Sequence, residues 1–553
     1  MNAAIVGFVS LVFFFLAYRF YGTYISEKIL RLGDELGEPP SVTLRDDIDY
    51  VPTKKQILVG HHFSSIAGAA PIVGPAVAVI WGWLPAMIWV LCGVIFMGAC
   101  HDFGALYLSM KHQGNSMAAV ADEILGKRSR VLFLTIIFFL VWMVIAVFTL
   151  VISSLFIKFP GAVIPVNFEI IIAVLMGVLI NKKNKSLTIP SILAQIMLII
   201  MIFVGTKFPI SIKGLFGEQE MMAWMVFLLI YSFIASTLPV WTLLQPRDYI
   251  NSHQLVMGLG LMVLGLFITQ PTIVAPVTNF NAEGAPPWFP FLFITIACGA
   301  ISGFHGLVSG GTSSKQVAKW SDAKPVGYGS MLAEGLLAVL ATLAVTAGFS
   351  SSEAWHSHYG SWSAANGLSS KISAFVLGAG EFVSGVGVPQ DVSRVVIAVL
   401  IISFAATSLD TACRIQRYII GEFGKTLRVP ALENRYVGSG LAVVSAFLLM
   451  LTSDGGKGGL YLWPLFGATN QMLAGLTLIL ITTFLIQKGR NFWPYLLPAI
   501  FVILMTGIAL SFNIKIYVEN QNWFLTSLGV ILFMAQIWVI AESMIAIRKA
   551  RAS

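Results

Sequence analysis

The chain has 553 residues, 57% of them hydrophobic and only 11% charged, with a formal net charge of +8. A soluble protein keeps roughly a quarter of its residues charged, so a soluble domain is excluded, and the alternating strands of about ten residues that mark an outer-membrane barrel are absent. The surplus of Lys and Arg falls in short loops between apolar runs, the pattern of positive-inside bias and not of a nucleic-acid surface.

Apolar runs of about 20 residues, each able to cross a hydrocarbon core of roughly 30 Å, predict fifteen spanning helices. The first cores are Ala3–Tyr21, Ile57–Ile80, Trp83–Leu108, Val131–Ile157, Ala162–Asn181, Leu187–Thr206 and Met222–Leu243. Then come Leu255–Pro271, Phe289–Gly310, Val326–Phe349, Ser393–Ala412 and Val437–Ser453. Gly459–Ile486, Pro494–Ser511 and Trp523–Ser543 complete the set. Every second loop is basic. One set holds Lys54 and Lys55, then Lys111, Lys127, Arg128 and Arg130, then Lys182, Lys183 and Lys185. It continues through Arg247, Lys315, Lys319, Lys324, Arg414 and Arg417 to a tail with Arg548, Lys549 and Arg551. Stretches of the other set, such as PTIVAPVTNFNAEGAPPW, hold none. This predicts an outside N-terminus and an inside C-terminus. No basic residue precedes the first run, which therefore reads as a retained helix and not a cleaved signal peptide. Cys92, Cys100, Cys298 and Cys413 lack CxxC spacing and read as packing residues.

The second span contains GAAPIVGP, where Pro71 and Pro75 remove backbone donors and glycines loosen the turn. The seventh contains IASTLPVWTLLQP, with Pro239 after Ser236 and Thr237 and Pro246 at its end. An offset of five spans turns two such blocks over in the membrane, which is the inverted repeat of secondary transporters, with sites at discontinuous helices. The expected organisation is a first helix and loop over 1–55, one repeat over 56–207 and a second over 221–412. The second repeat contains an outside loop at 350–390, and extra helices follow over 413–553.

The stretches YVPTKKQILVGHHFSSIAGAAPIVGPAVA, GACHDFGAL, ITIACGAISGFHGLVSGGTSSKQ, SFAATSLDTACRIQRY and YLWPLFGATNQMLAG run in order from Tyr50 to Gly475. In these the chain resembles the carbon starvation protein A (CstA) family. The resemblance implies an all-α polytopic inner-membrane transporter of the amino acid–polyamine–organocation superfamily, with a five-plus-five inverted-repeat (LeuT-like) core and flanking helices. It implies uptake of peptides or pyruvate when preferred carbon is exhausted, coupled to protons or to sodium, with no cofactor.

Candidate site residues follow. Ser64, Ser65, Gly68, Ala69, Ala70 and Gly74 sit where the second span unwinds, and a half-helix N-terminus there suits a substrate carboxylate. Ser236, Thr237 and Trp241 flank the second interruption, and Phe304 is a candidate pocket wall. For the coupling ion, His61 and His62 are candidates because imidazole changes charge near neutral pH. The resemblance matches the ninth span to a superfamily helix that supplies hydroxyls to a sodium site, nominating Thr312, Ser313 and Ser314 beside His305, with Lys315 as a cation substitute. Asp102, Glu334 and Asp410 are ionisable groups within spans, costly there and functional by default. Basic residues such as Arg414 or Arg417 are alternative partners for Asp102 and Asp410, and Asn470 and Gln471 are candidates for cross-helix hydrogen bonds. His356 and His358 make a two-ligand metal candidate, too few for a site alone. The stretch SSKISAFVLGAGEFVSGVG reads as an amphipathic surface lid.

An enzyme is disfavoured by the absence of HExxH, GxSxG and Walker motifs. A nutrient sensor and an amino acid transporter of the same fold stay open as alternatives, as do the substrate, the coupling ion and the oligomeric state.

Overall fold

The computed structural model describes residues 1–34, 37–47, 49–183, 188–239, 242–362, 368–451 and 462–552. Among the described residues the regular secondary structure is all helical, apart from isolated bridges such as Asn2 with Thr272. The helices are α1 (Ala3–Ile29), α2 (Lys55–Ile66), α3 (Ala70–Trp81), α4 (Trp83–Lys111), α5 (Met117–Leu125) and α6 (Lys127–Lys158). Next come α7 (Pro160–Val178), α8 (Ile189–Lys207), α9 (Lys213–Thr237), α10 (Pro246–Thr269), α11 (Trp288–Thr295) and α12 (Gly303–Gly311). The rest are α13 (Trp320–Ala347), α14 (Ser352–Tyr359), α15 (Leu368–Ser384), α16 (Gln390–Leu427), α17 (Arg435–Leu451), α18 (Trp463–Gln487), α19 (Trp493–Glu519) and α20 (Trp523–Arg548).

Each of the fifteen expected segments carries helix, but by length and apolarity twelve helices qualify as spans, and thirteen with the bent pair α2–α3. The shortfall has two causes. The segment Phe289–Gly310 is split into α11 and α12, and α17 has only 17 residues.

Burial sorts the helices. In α13, α16 and α18 the most apolar window is 89% buried, against 28% in α8 and 39% in α1 and α20. A helix apolar all round belongs in the interior of a bundle. At the centre α6 packs along α16, while α2 lies against α10, α3 against α13 and α15, and α12 between α4 and α18. At 38 residues α16 is about 57 Å long, so it projects well beyond a hydrocarbon core. Helix α15 was expected as a surface lid. It instead packs against α3, α10, α13 and α16, with Phe375 and Val376 fully buried.

The first interruption is where the sequence places it. Helix α2 ends at Ile66, and α3 restarts at Ala70 with a bend of 50°. Pro71 stands in the first turn of α3, where its missing N–H is one of the spare donors of a helix start, so it begins a helix more than it breaks one. The second interruption lies elsewhere than expected. From Glu220, α9 runs unbroken to Thr237; Pro239 follows its end, and Pro246 stands in the first turn of α10. The other broken span is α11–α12, open over residues 296–302.

Candidate functional site

The two interruptions meet. A Cβ on Gly74 of α3 would lie 2.5 Å from the Thr295 carbonyl oxygen at the end of α11, so this glycine sets the approach of the two broken spans. Between the breaks is a cavity of about 10 Å³, lined by Gly68, Ala70, Pro71, Cys298, Ser302, Phe304 and His305, with Phe148 of α6 and Ser408 of α16. Gly68 faces those last two side chains, since its Cβ would meet Phe148 and the Ser408 hydroxyl at 3.0 Å each. Ala69 is fully buried beside it. The start of α3, with its positive dipole end, opens here.

Helix α18 holds the second break open. The Asn470 side-chain oxygen accepts from the Phe304 amide at 2.9 Å, the N-cap service that α12 lacks from its own Ser302. The Asn470 amide also reaches Ser302 Oγ and Cys298 Sγ at 3.0 Å each, and Gln471 donates to the Phe293 carbonyl at 2.7 Å. Neighbouring residues of one helix thus serve both half-helix ends. Gly303 permits this, because its Cβ would lie 2.4 Å from the Asn470 carbonyl.

Against the cavity lies a fully buried charge network from three elements. Asp102 of α4 accepts from His101 Nδ1 at 2.7 Å and, on its other oxygen, from His305 Nδ1 of α12 at 2.9 Å. His305 Nε2 is 3.3 Å from Glu334 Oε2 on α13. Neither Glu334 oxygen accepts a well-aligned hydrogen bond, although the residue is wholly buried. If both Nδ1 positions donate to Asp102 and one proton is shared between His305 Nε2 and Glu334, the set carries one net negative charge. A further proton on Glu334 would neutralise it.

Towards the basic end, His62 Nδ1 is 2.7 Å from Ser313 Oγ, and His61 Nδ1 is 2.7 Å from Asp248 Oδ2 of α10. Ser64 donates to the Asp248 backbone carbonyl at 3.3 Å, and Ser65 to the His61 carbonyl of its own helix at 2.8 Å. A second buried network surrounds Arg247, which pairs with Asp410 at 2.5 Å and Glu169 at 3.5 Å. Tyr231 accepts from Arg247 and donates to Asp410, each at 2.7 Å, and Ser403 donates to Glu169 at 2.6 Å. Asp410 is thus held by Arg247, while Arg414 caps the Ala235 and Leu238 carbonyls that end α9.

The remaining candidates lie apart. Ser236 bonds Ser439 of α17, and Thr237 bonds the Ile234 carbonyl of its own helix. Trp241 lies outside the described residues. Thr312 ends α12, Ser314 accepts from Ser109 of α4 at 2.9 Å, and Lys315 stacks over Tyr50. The hydroxyls at 312–314 therefore gather near α4 and His62 at the far end of α12, not at the breaks. His356 and His358 sit on α14, and among the described residues no group of three or more His, Cys, Asp or Glu is placed to hold a metal. Sequence reasoning missed Arg247, which reads as a loop cation but has no exposed surface, and Glu169, a lone acid within an apolar run. It also passed over His101, Phe148, Asp248 and Ser408, which only the packing of α4, α6, α10 and α16 brings to the site.

Two broken helices meeting at the centre of a bundle define a membrane transporter of the five-plus-five inverted-repeat, LeuT-like class. A crystal structure of an Eremococcus coleocola manganese transporter mutant superposes over 92% of this chain and 99% of its own, with a TM-score of 0.51 and 13% identity, a likeness of fold alone. The profile of the family Carbon starvation protein CstA matches residues 2–358 and 353–509. The chain belongs to that family. The Peptide transporter CstA of Bacillus subtilis is 32% identical, covering 92% of this chain and 90% of its own length. The protein of the same name from Campylobacter jejuni is 32% identical over 89% of this chain and 78% of its own. The Pyruvate/proton symporter BtsT of Escherichia coli is 30% identical over 92% and 81%. These relatives are transporters, not enzymes.

Proposed function

We propose that this protein imports a small carboxylate-bearing nutrient, pyruvate or a peptide, across the cytoplasmic membrane in symport with protons, by alternating access about the two broken helices. The observation that carries this is the His305–Glu334–Asp102 set, fully buried, contributed in part by the second broken helix and bordering the cavity. With one proton shared between His305 and Glu334 the set is net negative and disfavours a nearby anion. With one more proton on Glu334 it is neutral, and the substrate carboxylate can sit at the start of α3. Proton and substrate therefore favour each other's binding, and such coupling is reciprocal. The names of the relatives supply the two substrate classes. The basic loops are assigned to the cytoplasmic side, with the N-terminus outside.

The repeat boundaries are also reassigned. The proposed units are α2/α3, α4, α6, α9, α10 and α11/α12, α13, α16, α17, α18. Supporting this, α6 packs on α16 and α9 on α17, and α3 meets α11 at Gly74, so corresponding members touch. The hairpin α7–α8 becomes an insertion within the first unit, and α1, α19 and α20 flank the core.

A second reading, sodium coupling, is favoured by the buried Ser408 hydroxyl, which has no hydrogen-bond partner and faces Gly68. Proteoliposomes separate the two. Labelled pyruvate or a dipeptide should accumulate under an inside-alkaline gradient and not under a sodium gradient at equal pH. Glu334→Gln should abolish accumulation driven by the proton gradient. Accumulation under sodium alone would replace the proton reading, and none under either gradient would overturn the symport proposal.

A further inference from the structure

Asp248 is a buried carboxylate that the transport site does not use. It is 1% exposed, neither of its oxygens accepts a hydrogen bond of good geometry, and its one close cation candidate is His61 Nδ1 at 2.7 Å. The contact joins the half-helix α2 to α10. The two helices approach closely there, since a Cβ on Gly60 would lie 2.8 Å from the Ser252 hydroxyl. The other charged and titratable groups around the pair have closer partners of their own, and the Arg247 charge, which also acts on Asp248, is shared with Asp410 and Glu169. Arg247, the residue before Asp248, points to Asp410 and Glu169, with Tyr231 between them. Arg414 is turned to the carbonyls of α9, and His62 to Ser313. The Gln316 amide, the remaining polar neighbour, lies 3.4 Å from His61 Nε2.

We propose that His61 and Asp248 form a second proton-binding site, separate from the one beside the cavity, which latches α2 to α10 and so closes the cytoplasmic end. With His61 protonated, both ring nitrogens donate. Nδ1–H faces the Asp248 carboxylate, and Nε2–H faces Gln316, whose amide turns its oxygen inward to accept. The buried pair is then neutral overall and α2 stays docked. When the Nε2 proton leaves for cytoplasmic water, a neutral imidazole faces a buried carboxylate anion. Such an anion is strongly disfavoured without a countercharge, so hydration of Asp248 draws α2 away from α10. The latch is closed at low internal pH and released as internal pH rises. That sign matches import driven by an inside-alkaline gradient, and in this respect the inference rests on the symport reading.

The test follows α2 directly. In a Cys92→Ser background, spin labels on Lys55→Cys at the start of α2 and Tyr418→Cys on α16, both exposed sites, report the α2–α16 distance in nanodiscs. Between about pH 5.5 and 8.5, the distance distribution of the parent should shift from short to long. Asp248→Asn and His61→Gln should each remove the pH response, giving one distribution throughout. Glu334→Gln should keep it, although that variant loses proton-driven uptake. A pH response that survives Asp248→Asn and His61→Gln, or is absent in the parent, would overturn the latch. So would its loss in Glu334→Gln, which would assign the proton to the transport site. Failure of the symport reading would show separately, as absent uptake by unmodified protein in liposomes.

Discussion

The two broken helices reach the same geometry by different means. In α2–α3 the break is written locally. Gly68 and the prolines lie in the segment itself, and Pro71 occupies a turn position that needs no donor. In α11–α12 the gap 296–302 contains no proline, and the free backbone groups of the half-helix ends beside it, the Phe293 carbonyl and the Phe304 amide, are satisfied from outside, by Gln471 and Asn470 of α18. Irregular backbone at membrane depth survives only when protein supplies its partners. A helix can therefore be interrupted by what it lacks or by what a neighbour offers, and only the first leaves a mark in its own residues.

The sharpest way to break this comparison is at the point where the two spans touch. Gly74→Ala places a methyl group 2.5 Å from the Thr295 backbone oxygen, which cannot rotate away. Overpacking of this kind costs about 1–3 kcal/mol, and it falls on the contact that sets the cavity. The variant should insert, yet show at least about a tenfold loss of proton-driven uptake. Uptake at the parent rate would mean that the contact between α3 and α11 does not govern transport.

The same contrast explains what was legible. Fifteen helical segments and the first break follow from hydropathy and from GAAPIVGP, because both are properties of contiguous residues. The second break was assigned to IASTLPVWTLLQP because prolines are conspicuous. There they only end α9 and start α10, and the span that breaks, ITIACGAISG, carries isoleucines, small residues and two hydroxyls but no proline. Glu334, His305 and Asp102 could be picked out as ionisable groups in apolar runs. That they touch one another could not, since they are brought together by helices far apart in sequence. Arg247 shows the reverse error. It reads as a loop residue yet lies buried in the first turn of α10 between Glu169 and Asp410, because α7, α9 and α16 close over that turn.

If α18 holds the second break open, its two amides should differ in importance. Asn470→Ala removes the cap on the Phe304 amide together with contacts to Ser302 and Cys298, whereas Gln471→Ala removes a single bond to the Phe293 carbonyl. Loss of an N-cap costs about 0.5–2 kcal/mol and an ordinary hydrogen bond about 1 kcal/mol. Asn470→Ala should therefore lower uptake severalfold and make Cys298 more reactive towards a membrane-permeant maleimide. Gln471→Ala should do less on both counts. Equal effects, or a larger effect at Gln471, would remove the N-cap from its role at the second break.

The smallest effect belongs to the site that the prolines advertised. Thr237 bonds only to the Ile234 carbonyl of its own helix and is partly exposed, so Thr237→Ala removes no contact between helices. Changes of this kind usually stay within about 0.5 kcal/mol. The cavity lining comes from the two breaks together with α6, α16 and Phe466 of α18, and Thr237 is not among it. Thr237→Ala should leave both the maximal rate and the half-saturating concentration of uptake at parent values. A raised half-saturating concentration in this variant would bring the α9–α10 turn into the substrate path. It would also reopen the choice between IASTLPVWTLLQP and ITIACGAISG as the partner of the first broken helix.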